Sequence, residues 1–142
     1  MSYTTLSELS ERYGADFLVG LTDRGEVATG QIDADVVDRA ILEAQATIDG
    51  YVKRRYVLPL TPVPALIATL ARQITIYTLH VYEPNPKITA EYEAALRQLR
   101  EIASGVIALD AEGATPAQTD SGGAQVTDRE RPFTAQNMKG FV

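Results

Sequence analysis

Residues 65–82, with the sequence ALIATLARQITIYTLHVY, place apolar side chains around most of the circumference of a helix. The apolar residues recur at helical spacing, and the main interruptions are Arg72, Gln73 and the threonines. A helix with so wide an apolar face lies at the centre of a bundle, or is both central and buried between subunits. The segment therefore favours a fold organised around one inner helix.

Two shorter signals predict helices before this segment. Residues 5–8 (TLSE) fit a capping box, and Gly14 is placed to end the short helix that follows. Asp33 can cap a second helix, whose apolar residues recur at helical spacing from residue 36 to 48. We expect this helix to continue toward Tyr56 until Pro59 stops it, and we expect a glycine-rich loop at residues 20–31.

A fourth helix is predicted after the proline-containing break at residues 83–86 (EPNP). Its narrow apolar stripe runs from Ile88 to Ile102, and Ser104 and Gly105 are placed to close it. Together these signals predict an all-α fold, a small bundle of about four helices. We expect residues 1–105 to form this body and residues 106–142 to form a linker and a C-terminal arm.

The C-terminal arm is expected to be extended and partly flexible. Residues 113–125 (GATPAQTDSGGAQ) are small and polar, and they cannot bury enough apolar surface to offset the entropy of ordering. Apolar residues return after this stretch at Val126, Phe133, Met138 and Phe141. The end of the arm is therefore expected to dock onto another surface.

Composition excludes several classes of protein. The 142 residues, 45% of them apolar, suffice for one compact domain, and the absence of cysteine excludes a disulfide-stapled secreted domain and thiolate metal sites. The one histidine, His80, lacks the partners of a metal site or a catalytic base, and we expect it at the edge of the core. We expect no enzymatic activity, no cofactor, no bound metal and no membrane span, in a soluble protein made in a cytoplasm.

An acidic stretch and a basic cluster are the candidate binding features. Asp23, Glu26, Asp33 and Asp35 fail the alternation of a calcium loop, because glycine and valine stand where acidic ligands belong. Residues 53–55, Lys53, Arg54 and Arg55, lie between two tyrosines. They form either a solvated turn whose arginines pair with carboxylates, or a local contact with DNA or with an acidic protein surface. The net charge of −6 confines any contact with nucleic acid to such a local patch.

Several segments of the chain, taken in collinear order, carry a resemblance to one family. They are residues 3–14, 21–24 (LTDR), 32–40, 48–51, 55–60, 63–66, 131–134 and 140–141. Through these segments the chain resembles, over nearly its whole length, the Mu-like phage and prophage proteins that are grouped with head-to-tail connectors. It departs from them at residues 25–30 (GEVATG), where the family often has an Asp-rich turn.

The resemblance implies a structural adaptor of the phage neck that acts without catalysis. It would assemble in the host cytoplasm as a homo-oligomeric ring, typically dodecameric, under the portal protein of the virion, complete the DNA-filled head and dock the next neck or tail protein. DNA would be a partner only as the passing genome. The residues that we expect at subunit or partner interfaces are Leu66, Ile67, Leu70, Ile74 and Tyr77 in the central helix and Val126, Phe133, Met138 and Phe141 in the arm.

Two other functions remain open on the sequence. One is a stopper, tail-completion or minor head protein, which differs from the adaptor by its position in the particle and not by its chemistry. The other is a small helical regulator that binds nucleic acid, which the basic cluster favours and the pI of about 4.7 disfavours.

Overall fold

The computed structural model describes residues 2–109 of the chain, and this part is all-α, as the sequence predicts. The described residues form five helices where the sequence predicts about four. Beyond Leu109 lie most of the predicted arm and its apolar residues Val126, Phe133, Met138 and Phe141, which are outside the described residues. The helices are α1 (Leu6–Tyr13), α2 (Ala15–Thr22), α3 (Ala34–Val52), α4 (Ala65–Leu79) and α5 (Pro86–Ser104).

The first helix begins at the predicted capping box. The Thr5 hydroxyl accepts a hydrogen bond from the Glu8 N–H at 3.3 Å, and the Glu8 carboxylate accepts one from the Thr5 N–H at 3.1 Å. Two of the backbone donors that a helix start leaves without partners are thereby satisfied. Gly14 follows α1 with a φ of 90°, a conformation that favours glycine, and turns the chain into α2.

Helix α2 is not among the helices that the sequence predicts. The predicted loop begins at Gly20, but residues 20–22 belong to α2, which starts immediately after Gly14. Two turns of helix give too short an apolar pattern to recognise, and Gly20 reads as a loop residue. The helix forms because Leu18 is completely buried against the body, so tertiary packing outweighs the weak local preference.

The last three helices form an antiparallel core around α4, which contacts both α3 and α5. One cluster of buried side chains joins the C-terminal half of α3, the N-terminal half of α4 and the C-terminal half of α5. The other cluster joins the opposite halves of these helices and is covered by α1 and α2. The predicted inner helix is confirmed: α4 buries Ile67, Leu70, Ile74 and Leu79 within the chain itself.

Two helices are shorter than the sequence predicts. Helix α3 ends at Val52 and not near Tyr56. The connector that follows it, residues 53–64, includes cis peptide bonds before Pro59 and Pro62. Helix α4 ends at Leu79, so Val81 and Tyr82 lie outside it and are 63% and 88% exposed. The wide apolar face of residues 65–82 therefore combines a buried helix with two exposed residues.

The N-terminal segment is anchored in the core through Tyr3. This side chain is 4% exposed and packs in the cluster that contains Ile48, Leu60 and Leu70. Its hydroxyl donates a hydrogen bond to the Asp49 carboxylate on α3. Burial, together with this bond to a carboxylate, raises the pKa of the Tyr3 phenol well above its ordinary value.

Candidate interaction surfaces

Most of the predicted interface residues of α4 lie inside the body. Ile67, Leu70 and Ile74 are at most 2% exposed and contact the chain's own core, so in this conformation they offer no surface to a second chain. Leu66 and Tyr77 are half-buried. The Tyr77 ring stacks on Tyr92 of α5, with ring centroids 3.8 Å apart and planes within 3° of parallel. Of the α4 set, Leu66 and Tyr77 alone are partly accessible.

Most of the exposed large apolar side chains of the described residues lie at the two opposite ends of the bundle; the others are Leu42 on α3 and Val27 in the loop after α2. At the end where α4 finishes and α5 begins, Val81 and Tyr82 are exposed and Phe17 is 37% exposed. At the other end, the connector after α3 exposes Val57 and the turn after α5 exposes Val106. The antiparallel helices fix this separation, because each end is formed by helix termini and their connections.

An open cleft of about 250 Å³ lies at the end of the bundle that carries Tyr82. Its apolar walls come from Tyr13, Phe17 and Ile88, which belong to α1, α2 and α5 respectively. Charged and polar side chains at its rim belong to Arg12, Asn85, Lys87 and Glu91. A cleft with apolar walls and a polar rim at an exposed end is suited to contact with another protein.

The basic cluster at residues 53–55 divides into two roles. Arg55 donates hydrogen bonds from Nε to the Ala103 carbonyl and from Nη2 to the Ser104 carbonyl, both at 3.1 Å. These carbonyls belong to the last turn of α5, where backbone acceptors lack helical partners. Arg55 therefore holds the end of α5 against the connector, whereas Lys53 and Arg54 are exposed.

The structure adds Arg100 to the two exposed residues of the cluster. Lys53, Arg54 and Arg100 line one open groove of about 450 Å³ together with Gly50, Tyr51, Ala103 and Ser104. Arg100 belongs to α5, and its position so far along the chain from residues 53–55 hides this grouping from sequence reasoning. The ion pair found within residues 2–109 joins Lys87 and Glu91. No carboxylate of these residues therefore forms an ion pair with Lys53, Arg54 or Arg100.

The predicted acidic loop is held by backbone hydrogen bonds. The Asp23 carboxylate accepts hydrogen bonds from the Thr29 and Gly30 N–H groups, both at 3.0 Å to Oδ2. These bonds to the Gly30 and Thr29 N–H groups lower the pKa of Asp23. The Asp33 carboxylate caps α3 by accepting from Asp35 and Val36 N–H groups. Across the described residues, no group of three or more acidic or histidine side chains is arranged to hold a metal ion.

The remaining residues of the LTDR segment are structural as well. The Thr22 hydroxyl donates to the Leu18 carbonyl at 2.8 Å and accepts from the Asp33 N–H at 3.0 Å. Arg24 donates from Nε to the Leu21 carbonyl at 2.7 Å and from Nη2 to the Leu79 carbonyl. This side chain therefore joins the end of α2 to the end of α4, which explains why these residue types occur together.

His80 lies at the edge of the core, in the place that the sequence predicts. It caps the end of α4 and is half-buried, and its Nδ1 lies 2.7 Å from the Ile76 carbonyl oxygen. The Phe17 ring packs nearby, with the ring centroids 5.9 Å apart. In residues 2–109, none of the helices has both the length and the apolar character needed to cross a membrane.

Comparison with known proteins places the chain in a family. The sequence model described as "Bacteriophage Mu, Gp36" matches residues 3–128. The chain is 33% identical over 142 residues to "Gene product J" of Escherichia phage Mu, covering all of both chains. It is 29% identical over 140 residues to "Mu-like prophage FluMu protein gp36" of Haemophilus influenzae, covering 99% of this chain and 98% of that protein. The chain therefore belongs to the bacteriophage Mu Gp36 family.

Proposed function

We propose that this chain is a structural protein of the phage neck, a head-to-tail connector that forms a ring under the portal protein. In this role it completes the DNA-filled head and docks the next neck or tail component. The observation that carries the proposal is the presence of exposed apolar residues at both ends of the bundle, in a member of a Mu phage family. An adaptor between two other proteins requires two such docking ends.

A ring adds a requirement at the sides of each subunit. A closed ring of identical chains uses heterologous contacts, in which two different surfaces of neighbouring subunits meet. Leu42 in the middle of α3, which is 60% exposed, offers an apolar side chain away from the ends, and Leu66 and Tyr77, near the two ends of α4, are partly accessible. Apolar residues of the segment 126–142 are the second part of this proposed interface, and a dodecamer is the proposed assembly.

The proposed role needs no active site. The hydroxyl groups of Thr22, Thr75 and Thr78 bond to carbonyls of their own helices. The nearest polar contact of the His80 ring is likewise a main-chain carbonyl. We therefore propose a protein without catalytic activity, located in the virion at the head-to-tail interface and in the host cytoplasm during assembly.

The proposal is tested by a phage or prophage that encodes the chain and carries a stop codon in its gene. Induced cells are expected to accumulate DNA-filled heads and separate tails, because the joint between them is missing. Complementation with the wild-type gene is expected to restore complete particles. Infectious particles at wild-type yield without the protein would contradict the proposal, and tails attached to empty heads or a block before DNA packaging would assign it a different position.

The two docking ends are tested by complementation with surface variants. Replacing Val81 and Tyr82 with serine alters one end, and replacing Val57 and Val106 alters the other. We expect each pair to lower particle yield at least about tenfold, because exposed apolar side chains are the anchors of protein contacts. The control is Ala46→Ser, an exposed position on α3 that lies at neither end and belongs to no proposed interface, and it is expected to leave particle yield unchanged.

A further inference from the structure

We propose that the groove between the C-terminal ends of α3 and α5 binds phosphate groups of duplex DNA. Lys53, Arg54 and Arg100 are all exposed and converge on this groove from two separate parts of the chain. Lysine and arginine side chains supply the charge-assisted hydrogen bonds that phosphate oxygens accept, and arginine can donate two in parallel. The groove presents three such cations together.

No carboxylate of the described residues lies within ion-pair distance of the groove cations. The ion pair found in residues 2–109 joins Lys87 and Glu91 in the first two turns of α5, at the opposite end of that helix from the groove. The chain as a whole has a net charge of −6, so this local concentration of cations stands against an acidic background. A local positive potential attracts a polyanion to one place and leaves the rest of the surface repulsive.

Stabilisation of the end of α5 does not require the three cations of the groove. Cations are favoured near helix C-termini because the last carbonyls carry partial negative charge. Arg55 already supplies this contact for α5, through its hydrogen bonds to the Ala103 and Ser104 carbonyls. Lys53 and Arg54 follow the end of α3, Arg100 lies within α5, and all three side chains are exposed and available to a ligand.

The remaining lining favours nucleic acid over an acidic protein surface. Besides the cations, the groove is lined by Gly50, Tyr51, Ala103 and Ser104, with no large aliphatic side chain. The buried centre of a protein interface is enriched in large apolar residues, whereas contacts with DNA rely on cations and polar groups that meet phosphates. The Tyr51 ring, which is half-buried, is suited to pack against a sugar.

The expected binding is weak, independent of sequence and dependent on salt. Neutralisation of three phosphates gives a slope of about −2.7 when the logarithm of the association constant is plotted against the logarithm of the salt concentration. The affinity therefore falls roughly 40-fold between 50 and 200 mM salt. A role in guiding the genome rests on the proposed ring, in which each copy presents one groove and weak contacts act together. Binding of DNA by the isolated chain does not rest on it.

The experiment is a fluorescence anisotropy titration of a labelled 20-base-pair duplex with the full chain at 50 to 200 mM NaCl. The test variant is the double replacement Arg54→Gln and Arg100→Gln. The matched control is Arg39→Gln with Arg97→Gln, which removes the same charge from two exposed arginines outside the groove. Thermal unfolding of both variants verifies that each remains folded.

For the wild-type chain we expect the salt slope given above, and for the groove variant a slope smaller in magnitude by about 1.8 with at least about tenfold weaker binding at 50 mM NaCl. The control is expected to keep the wild-type slope. Absence of binding at 50 mM NaCl, or equal loss in both variants, would overturn the proposal. Binding of a glutamate-rich peptide in place of DNA would also overturn it and would assign the groove to an acidic protein. Particle assembly decides the proposed neck function separately.

Discussion

Arg55 shows how one side chain of a basic cluster can serve folding while its neighbours serve the surface. Its two hydrogen bonds reach carbonyls of α5, far along the chain, and join the end of that helix to the connector after α3. The sequence shows residues 53–55 only as three adjacent cations, and it does not distinguish the one that bonds within the fold from the two that are exposed. The acceptors of Arg55 become identifiable only when the fold brings α3 and α5 together.

Replacing Arg55 with alanine is expected to lower the free energy of unfolding by about 1–3 kcal/mol, because the hydrogen bonds from a charged group to the α5 carbonyls are lost. Arg54→Ala is the matched control, since Arg54 is exposed, and its effect is expected to stay within about 0.5 kcal/mol. Urea denaturation followed by circular dichroism measures both values. Equal effects of the two variants would show that Arg55 does not hold the helix end.

Gly105 is required by its backbone conformation, and a side chain there would displace the Arg55 guanidinium group. Its φ of 86° is left-handed, and a Cβ at this position would lie 2.5 Å from the Arg55 Cζ. Gly105→Ala is therefore expected to destabilise the chain by about 1–2 kcal/mol. Gly20→Ala in α2, where nothing lies within 4 Å of the added carbon, is expected to stabilise it by about 0.5–1 kcal/mol. Thermal or urea unfolding compares them, and the same sign for both variants would contradict this account.

Asp23 predicts a dependence of stability on pH. Hydrogen bonds from the Gly30 and Thr29 N–H groups hold its pKa below the ordinary value, so its ionised form is favoured in the folded chain. This stabilisation is present above the pKa of the unfolded chain, about 3.9, and is lost as the pH falls through the folded value. The wild type is expected to be more stable than Asp23→Asn at pH 7, and the difference is expected to shrink below about pH 4. A difference in unfolding free energy that stays constant with pH would contradict the role of the carboxylate charge.

At the level of the helix, α4 organises the body through buried residues. Leu70 is 1% exposed and lies in the cluster that joins α3, α4 and α5. Leu70→Ala is expected to lower the free energy of unfolding by about 2–5 kcal/mol, from lost burial and the cavity left behind. The control is Leu42→Ala on α3, where the side chain is 60% exposed, with an expected effect below about 1 kcal/mol. Chemical denaturation distinguishes them, and a small loss at Leu70 would refute the central position of α4.

The helices were predictable where local chemistry determines them. The capping box at Thr5 and the glycine after Ser104 depend on neighbouring residues, and both are where the sequence places them. Helix α2 was not predicted because its eight residues are stabilised by the burial of Leu18 against distant parts of the chain. The ends of α3 and α4 were placed too late because apolar residues continue beyond both helices. Tyr56 in the connector after α3 is buried in the core, whereas Val81 and Tyr82 after α4 are exposed.

Across the whole molecule, the antiparallel packing of α3, α4 and α5 determines which surfaces are available. Sequence periodicity identified α4 as the inner helix, but it could not show that Ile67, Leu70 and Ile74 are used within the chain. The same packing brings Arg100 to Lys53 and Arg54, and it separates Tyr82 from Val106 to opposite ends. These relations depend on the spatial order of helices, which residue spacing along one helix does not contain.

The proposed neck role is tested by cryo-electron microscopy of virions that carry the chain with a C-terminal tag bound by a labelled antibody fragment. We predict a single ring of copies, twelve in number, between the portal vertex and the tail, with the two apolar ends of each bundle facing the neighbouring components. Label at the tail tip or on the head surface, or particles that contain no copy of the chain, would contradict the account.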